Sequence, residues 1–273
     1  MKQLIFTDLD GTLLDEKYRY DVSRPAVQWL KSLNFPVIFC SSKTFAEQEF
    51  YRTALDISAP FIVENGNAVF ITKHYFTVPV NAQRETADFL VIELGKPVAE
   101  IRATLANIRS ETGIGFKCYC DLSVAEICAI TGLDKAAAKC AATRDYSETI
   151  LTPLTETEQQ TIRDALKPFG LVAVSGGRFF TVTSATADKG TAVRLLAEIF
   201  RQQFGEVHTV SLGDSANDVS LLAATDVAFL VQKPDGTWQD IALPNLHKIN
   251  GIGPKGWVIA MEIFQKQLLS KLR

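Results

Sequence analysis

The chain has 273 residues, 47% hydrophobic and 22% charged, with a formal net charge of −3. That length allows one large domain or two modest ones and an ample core. No apolar run approaches the roughly 18 to 20 residues of a membrane helix, and no Lys/Arg block offers a footprint for nucleic acid or a membrane surface. Any anionic substrate must therefore meet positive charge that is local.

In chain order, Leu4 to Thr7 reads as a buried strand. Val22 to Leu33 places Val22, Ala26, Val27, Trp29, Leu30 and Leu33 at helical spacing before Pro36. Val37 to Cys40 is a second strand, Lys43 to Leu55 a helix, Phe61 to Val63 a third strand, and Ala68 to Val78 a hairpin. This alternation belongs to a parallel sheet.

The middle has another rhythm. Phe89 to Leu94 reads as strand, Val98 to Ser110 as helix, Phe116 to Tyr119 as strand, and Val124 to Ala142 as two helices broken at Gly132. Thr149 to Leu151 follows as strand and Glu156 to Leu166 as helix. Leu171 to Val174 and Phe179 to Val182 form a hairpin turning at Gly176-Gly177. The first rhythm then resumes with a helix over Asp188 to Phe204, strands at Val207 to Leu212 and Val227 to Val231, and a helix from Ser215 to Ala223 between them. Trp257 to Leu269 reads as a closing amphipathic helix. The expected fold class is α/β, a doubly wound open parallel sheet built from residues 1–81 and 187–273, interrupted by an α+β cap at 82–186.

Five cysteines, an odd number without a C-x-x-C pair, read as free thiols. Cys118-Tyr119-Cys120 could place two thiols on one strand face, but partners at usual zinc spacing are missing. With no basic and apolar leader at the N-terminus, the expected compartment is the cytoplasm.

Chemistry concentrates where strands end. Asp8 and Asp10, in "LIFTDLDGTLL", close the first strand, where open parallel sheets bind ligands. Two adjacent carboxylates repel unless a cation or a shared proton intervenes, and a hard divalent ion such as Mg²⁺ suits oxygen ligands. A solvated turn is the plain alternative. "SLGDSANDVSLL" repeats the arrangement with Asp214, Asn217 and Asp218, for which a helix start is the plain alternative. Ser41 and Ser42 end the second strand and suit a phosphate oxygen or a helix N-cap. Lys189, in the first turn of a helix, is electrostatically misplaced unless it has a function.

Together, "DLDGT", the serine after the second strand, "DKG" and "GDSAND" resemble the four ordered motifs of the haloacid dehalogenase superfamily phosphatases, over nearly the whole chain. The insert resembles the larger cap of the Cof-type branch. Where most Cof-type members carry Thr-Gly-Arg, this chain has Ser41-Ser42-Lys43-Thr44. With "VENGN", "CDLS", "TGL", "RDYSE" and "GGRFF", that segment resembles the mannosyl-3-phosphoglycerate phosphatase family.

The resemblance implies a Mg²⁺-dependent hydrolase of a small sugar phosphate, with no nucleic-acid or membrane partner. It implies Asp8 as nucleophile, Asp10 as acid and base, and Ser41, Ser42 and Lys189 on the phosphate. Asp8, Asp214, Asp218 and the main chain of Asp10 would serve the metal. Lys43, Glu64, Asn65, Arg144, Glu148, Arg178 and Asn217 are the candidates for substrate contact. Structural ion pairs are the plain alternative for the cap residues, and a turn for Glu64-Asn65-Gly66. His74, His208 and His247 lie outside every motif. Glucosyl-3-phosphoglycerate or another sugar phosphate is the alternative substrate. A phosphomutase would have to return the phosphoryl group, and a mere binder would not need both a nucleophile and an acid.

Overall fold

The computed structural model describes residues 1–176 and 179–271. In chain order the first part is β1 (Lys2–Thr7), α1 (Arg24–Ser32), β2 (Val37–Phe39), α2 (Phe45–Ala54), β3 (Phe61–Val63), β4 (Ala68–Thr72), β5 (Arg84–Glu85) and β6 (Phe89–Glu93). The middle part is α3 (Val98–Thr112), α4 (Val124–Thr131), α5 (Lys135–Ala142), β7 (Glu148–Ile150), α6 (Glu156–Leu166), β8 (Leu171–Gly176) and β9 (Phe179–Ser184). The last part is α7 (Lys189–Phe204), β10 (Val207–Gly213), α8 (Val219–Ala223), β11 (Val227–Gln232), β12 (Leu246–Ile252) and α9 (Gly253–Lys271).

Five parallel strands run in the order β12-β11-β10-β1-β2, and a bridge between Cys40 and Ile62 carries the sheet on to β3. Leu4, Ile5 and Phe6 of β1 are fully buried, as a central parallel strand covered on both faces must be. Along β11, Ala228 and Leu230 pack in one cluster with Leu222 and Ile241, while Phe229 joins the main core. That alternation is the doubly wound arrangement.

The residues from 82 to 94, expected to open the insert, are strands β5 and β6. Both belong to an antiparallel sheet with β4 and β3, and Val91 and Ile92 sit in the main core. The hairpin expected at Ala68 to Val78 is replaced by these pairings, because β4 pairs with β3 on one side and β6 on the other. Apart from Tyr146, which packs into the main core, buried apolar residues between 101 and 182 form clusters of their own, around Ile101, Leu105, Ile162 and Val182 and around Tyr119, Ile127 and Leu151. A β7-β9-β8 antiparallel sheet accompanies them. The strand expected at Phe116 to Tyr119 reduces to a bridge from Cys118 to Ile150 followed by one 3-10 turn. Part of the glycine turn before β9 lies outside the described residues.

Local chemistry fixes the ends that matter. A capping box starts α2: Thr44 Oγ1 accepts from Glu47 N at 3.2 Å, and Thr44 N donates to Glu47 Oε2 at 2.9 Å. Asp188 caps α7 through Thr191 N at 2.7 Å. All five cysteines are free, and Cys40 and Cys118 are buried while Cys120 is exposed. Among the described residues no helix is long and apolar enough to cross a membrane.

Candidate active site

β1 delivers Asp8 beyond its last residue, and Asp8 N donates to Leu212 O of β10 at 3.0 Å. Trp257 Nε1 donates to Thr7 Oγ1 at 3.0 Å, and that hydroxyl donates to the Asp8 carbonyl at 2.7 Å. The strand end is thus fixed by a buried indole that periodicity alone marks as core. Next door, β10 ends at Gly213 and presents Asp214 and Asp218. Asp8, Asp214 and Asp218 are all buried and bring carboxylate oxygens within 4.8 Å of one another.

Lys189 explains how such a cluster is tolerated. Its side chain is 1% exposed, with Nζ 2.6 Å from Asp8 Oδ1 and 2.6 Å from Asp218 Oδ1. Burial opposes its charge, but Asp218 and Asp8 raise its affinity for the proton above that of ordinary lysine. The start of α7 is therefore a poor place for a cation that the carboxylates turn into a good one.

One ammonium does not neutralise the cluster. Burial pushes the Asp8 carboxyl well above the usual range, Lys189 opposes, and Asp218, Asp214 and Asp10 push it further. Burial and Asp218 likewise push Asp214 up to about 7, against a 3.1 Å hydrogen bond from Thr12 Oγ1. This surplus of buried oxygen anions fits a hard divalent cation. Gly11 completes the cradle: at φ +74°, a Cβ there would lie 2.8 Å from Asp214 Oδ2.

The other sequence candidates separate clearly. Asp218 uses Oδ2 to accept from Asp214 N at 3.0 Å and Ser215 N at 3.1 Å, and gives Oδ1 to Lys189, so it holds the loop. Ser41 is buried and its Oγ accepts from Lys43 N at 3.3 Å. Neither Ser41 nor Ser42 caps α2, because Thr44 does, which removes the plain alternative for both. Lys43 lies with Nζ 3.0 Å from Asp10 Oδ1 and 3.5 Å from Glu47 Oε1, so it faces the second carboxylate of the first motif.

Glu64 faces the insert. Its buried carboxylate accepts from Asp145 N at 2.9 Å and Tyr146 N at 3.2 Å and also receives Ser147 Oγ, while Arg144 Nη1 stands 3.9 Å away. Asn65 Oδ1 accepts from Asn217 Nδ2 at 3.3 Å. Behind them, a Cβ on Gly66 (φ +95°) would lie 2.1 Å from the Asp188 carbonyl, so only glycine lets this turn touch the start of α7. Arg144 also donates to Ser147 Oγ at 2.8 Å and lies over the Tyr119 ring.

Two expectations change. Glu148, offered as a substrate contact, is fully buried and pairs with Arg102 Nε at 2.6 Å, which makes it a structural ion pair. Glu64 and Arg144 are engaged with each other across the joint between core and insert. Arg178 lies outside the described residues.

A family model described as haloacid dehalogenase-like hydrolase matches residues 5–96 and 130–242. The chain belongs to that family. Among its relatives is a glucosyl-3-phosphoglycerate/mannosyl-3-phosphoglycerate phosphatase of Methanococcoides burtonii, 44% identical, covering 94% of this chain and 95% of the relative. A mannosyl-3-phosphoglycerate phosphatase of Pyrococcus horikoshii is 38% identical over 85% of this chain and 91% of its own. Among solved structures, a phosphatase of the haloalkanoate superfamily from Bacteroides thetaiotaomicron superposes with a TM-score of 0.67 at 17% identity, covering 97% and 96% of the two chains. A sucrose-phosphatase from Synechocystis gives 0.62 at 14% identity, covering 97% and 99%. These two structures establish a shared fold.

Sequence reasoning missed three supports of this hydrolase's site. Thr12 binds Asp214 although it stands inside the quoted first motif. Gln48, fully buried, donates to Lys43 O at 3.2 Å and Ile62 O at 2.9 Å. Trp257 reaches Thr7 from the far end of the chain. Only Thr12 carried a local signal, its place beside Gly11.

Proposed function

We propose that this phosphatase removes the phosphate of mannosyl-3-phosphoglycerate to leave mannosylglycerate, and that the glucosyl compound is a second substrate. The reaction rests on one observation: a single strand end presents Asp8, buried against Lys189, and two residues on presents Asp10, half open to solvent beside Lys43. The substrate rests on likeness, since the 44% identical relative bears both names.

Phosphomonoesters hydrolyse very slowly in water, and an enzyme gains mostly by positioning and charge neutralisation. An Asp8 carboxylate oxygen attacks phosphorus, the bond from phosphorus to the glycerate oxygen breaks, and Asp10 gives that oxygen its proton. Water then attacks phosphorus, Asp10 takes the proton, and phosphate leaves as Asp8 regains its carboxylate. Ser41 and Lys189 hold phosphate oxygens through these steps. When bound, Mg²⁺ supplies positive charge to the phosphoryl oxygens; Asp8, Asp214 and the main-chain carbonyl of Asp10 would hold it, with Asp218 bracing the loop. Five free thiols support a reducing, cytoplasmic setting.

The substrate test is phosphate release from the mannosyl compound, the glucosyl compound and glucose 6-phosphate. We expect both glycosyl-3-phosphoglycerates to exceed glucose 6-phosphate by at least about 100-fold in kcat/KM, the range that satisfied polar contacts confer. Equal rates on all three would sink the substrate assignment.

Cation binding should depend on pH. With Asp214 at about 7, its proton competes with the ion. Affinity for Mg²⁺, followed by calorimetry, is expected to fall as pH drops below about 7, by up to about tenfold per pH unit for each ligand carboxyl that takes up a proton. A flat profile from pH 5.5 to 8 would show that Asp214 does not bind the ion.

A further inference from the structure

The segment Ser41-Ser42-Lys43-Thr44 places a lysine just before α2, where the helix dipole disfavours a cation. Lys43 is nevertheless rigidly built in. Its N donates to Ser41 Oγ, and its carbonyl accepts from Gln48 Nε2 and from Glu64 N at 3.0 Å. The side chain is 8% exposed, and Nζ lies 4.6 Å from the centre of the Tyr18 ring and 5.9 Å from that of Tyr51. Glu47, 3.5 Å away, is itself fixed by the capping box of α2.

The Asp10 side chain has no comparable support. Its buried Oδ1 has no partner among the described residues other than the Lys43 ammonium at 3.0 Å. A proton carrier must point at the leaving oxygen, and misplacement by about 1 Å can cost roughly 100-fold. Asp10 also becomes an anion when its proton leaves, and a desolvated ammonium beside it stabilises that anion.

We propose that Lys43 is the positioning residue for Asp10, its ammonium donating to Asp10 Oδ1 before and after proton transfer and braced by Glu47 and Tyr18, so that proton delivery to the leaving oxygen depends on Lys43. The proposal rests on the phosphatase reading. It differs from a role for Lys43 in binding the substrate carboxylate, and the difference is measurable through the leaving group. Nitrophenolate departs without a proton, whereas an aliphatic alkoxide needs one.

The test measures kcat/KM of the wild type, Lys43→Met, Lys43→Arg and Glu47→Gln on nitrophenyl phosphate, an aliphatic phosphomonoester without a carboxylate, and 3-phosphoglycerate. Lys43→Met is expected to lose about 100-fold on both aliphatic esters and less than about threefold on nitrophenyl phosphate. Lys43→Arg should recover about a tenth or more of the aliphatic rate, since it restores the charge but not the shape. Glu47→Gln, which keeps the ammonium and loosens it, should show the same leaving-group dependence at smaller size. This last variant keeps the test decisive if Lys43→Met does not fold. Equal losses on all three esters would overturn the proposal in favour of a structural role. A loss confined to 3-phosphoglycerate would overturn it in favour of carboxylate binding. A wild type inactive on both aliphatic esters would overturn it by removing the proton transfer. A wild type inactive on every ester defeats the phosphatase reading itself, so the two failures are distinguishable.

Discussion

Replacing Lys189 by methionine should abolish phosphate release and destabilise the protein together. The ammonium sits between Asp8 and Asp218 at 2.6 Å from each, with 1% of its side chain exposed. Removing one member of a buried ionic set leaves the others uncompensated, at a cost of about 3 to 5 kcal/mol. The sign follows from the raised proton affinity of Lys189. A lysine raised on folding contributes stability that is complete below its unfolded value, hence across the neutral range, and is lost only in strong alkali. Thermal melts at pH 7 should therefore show the full loss. Adding Asp218→Asn to Lys189→Met should recover stability without recovering activity. If the double variant melts no higher than the single one, the deficit comes from packing and not from stranded charge.

Asp8→Asn should separate activity from stability in the other direction. Loss of the proposed nucleophile is expected to lower kcat by roughly 10⁴-fold or more, measured on protein free of wild type. Stability of the cation-free protein should rise. Burial and the neighbouring carboxylates raise the Asp8 carboxyl on folding. Such a group favours the fold at low pH, where it is protonated, and that contribution is lost as pH rises through the folded value. Asparagine removes the loss, so the gain in Tm should be present at pH 7 to 8 and vanish toward pH 4. A lower Tm at neutral pH would mean that the Asp8–Lys189 pair outweighs the burial of charge. Active sites commonly hold groups that function needs and stability does not.

The central fold was legible because its strands are continuous apolar runs ending in chemistry. Leu4 to Phe6 announces both a buried strand and, one residue after Thr7, the carboxylate proposed as its catalytic end. β12 escaped because it is an edge strand in which His247, Lys248 and Asn250 are exposed, so no apolar run marks it. β5 and β6 were assigned to the insert because the pairing of β6 with β4, which brings β5 in at the sheet edge, is a long-range fact that composition does not encode. In the site, Asp8, Lys189 and Asp214 were visible through residue type at strand and helix ends. The partner of Lys43 was not, since Asp10 lies 33 positions earlier in the chain. Nor was that of Glu148, because Arg102 lies 46 positions earlier, with α4 and α5 between, and the pairing depends on how α3 crosses β7.

The joint made by Glu64 bears on how freely the insert can diverge. Of its three hydrogen-bonding contacts, two are main-chain amides, those of Asp145 and Tyr146, and one is the Ser147 hydroxyl. Any residue but proline offers an amide. The socket thus recognises the course of the incoming chain more than its identity. Side chains at 145 and 146 can therefore vary without loss of these two amide bonds, provided the chain enters along the same path. Gly66, pressed against the start of α7, keeps that socket in register with Lys189 whatever is plugged into it.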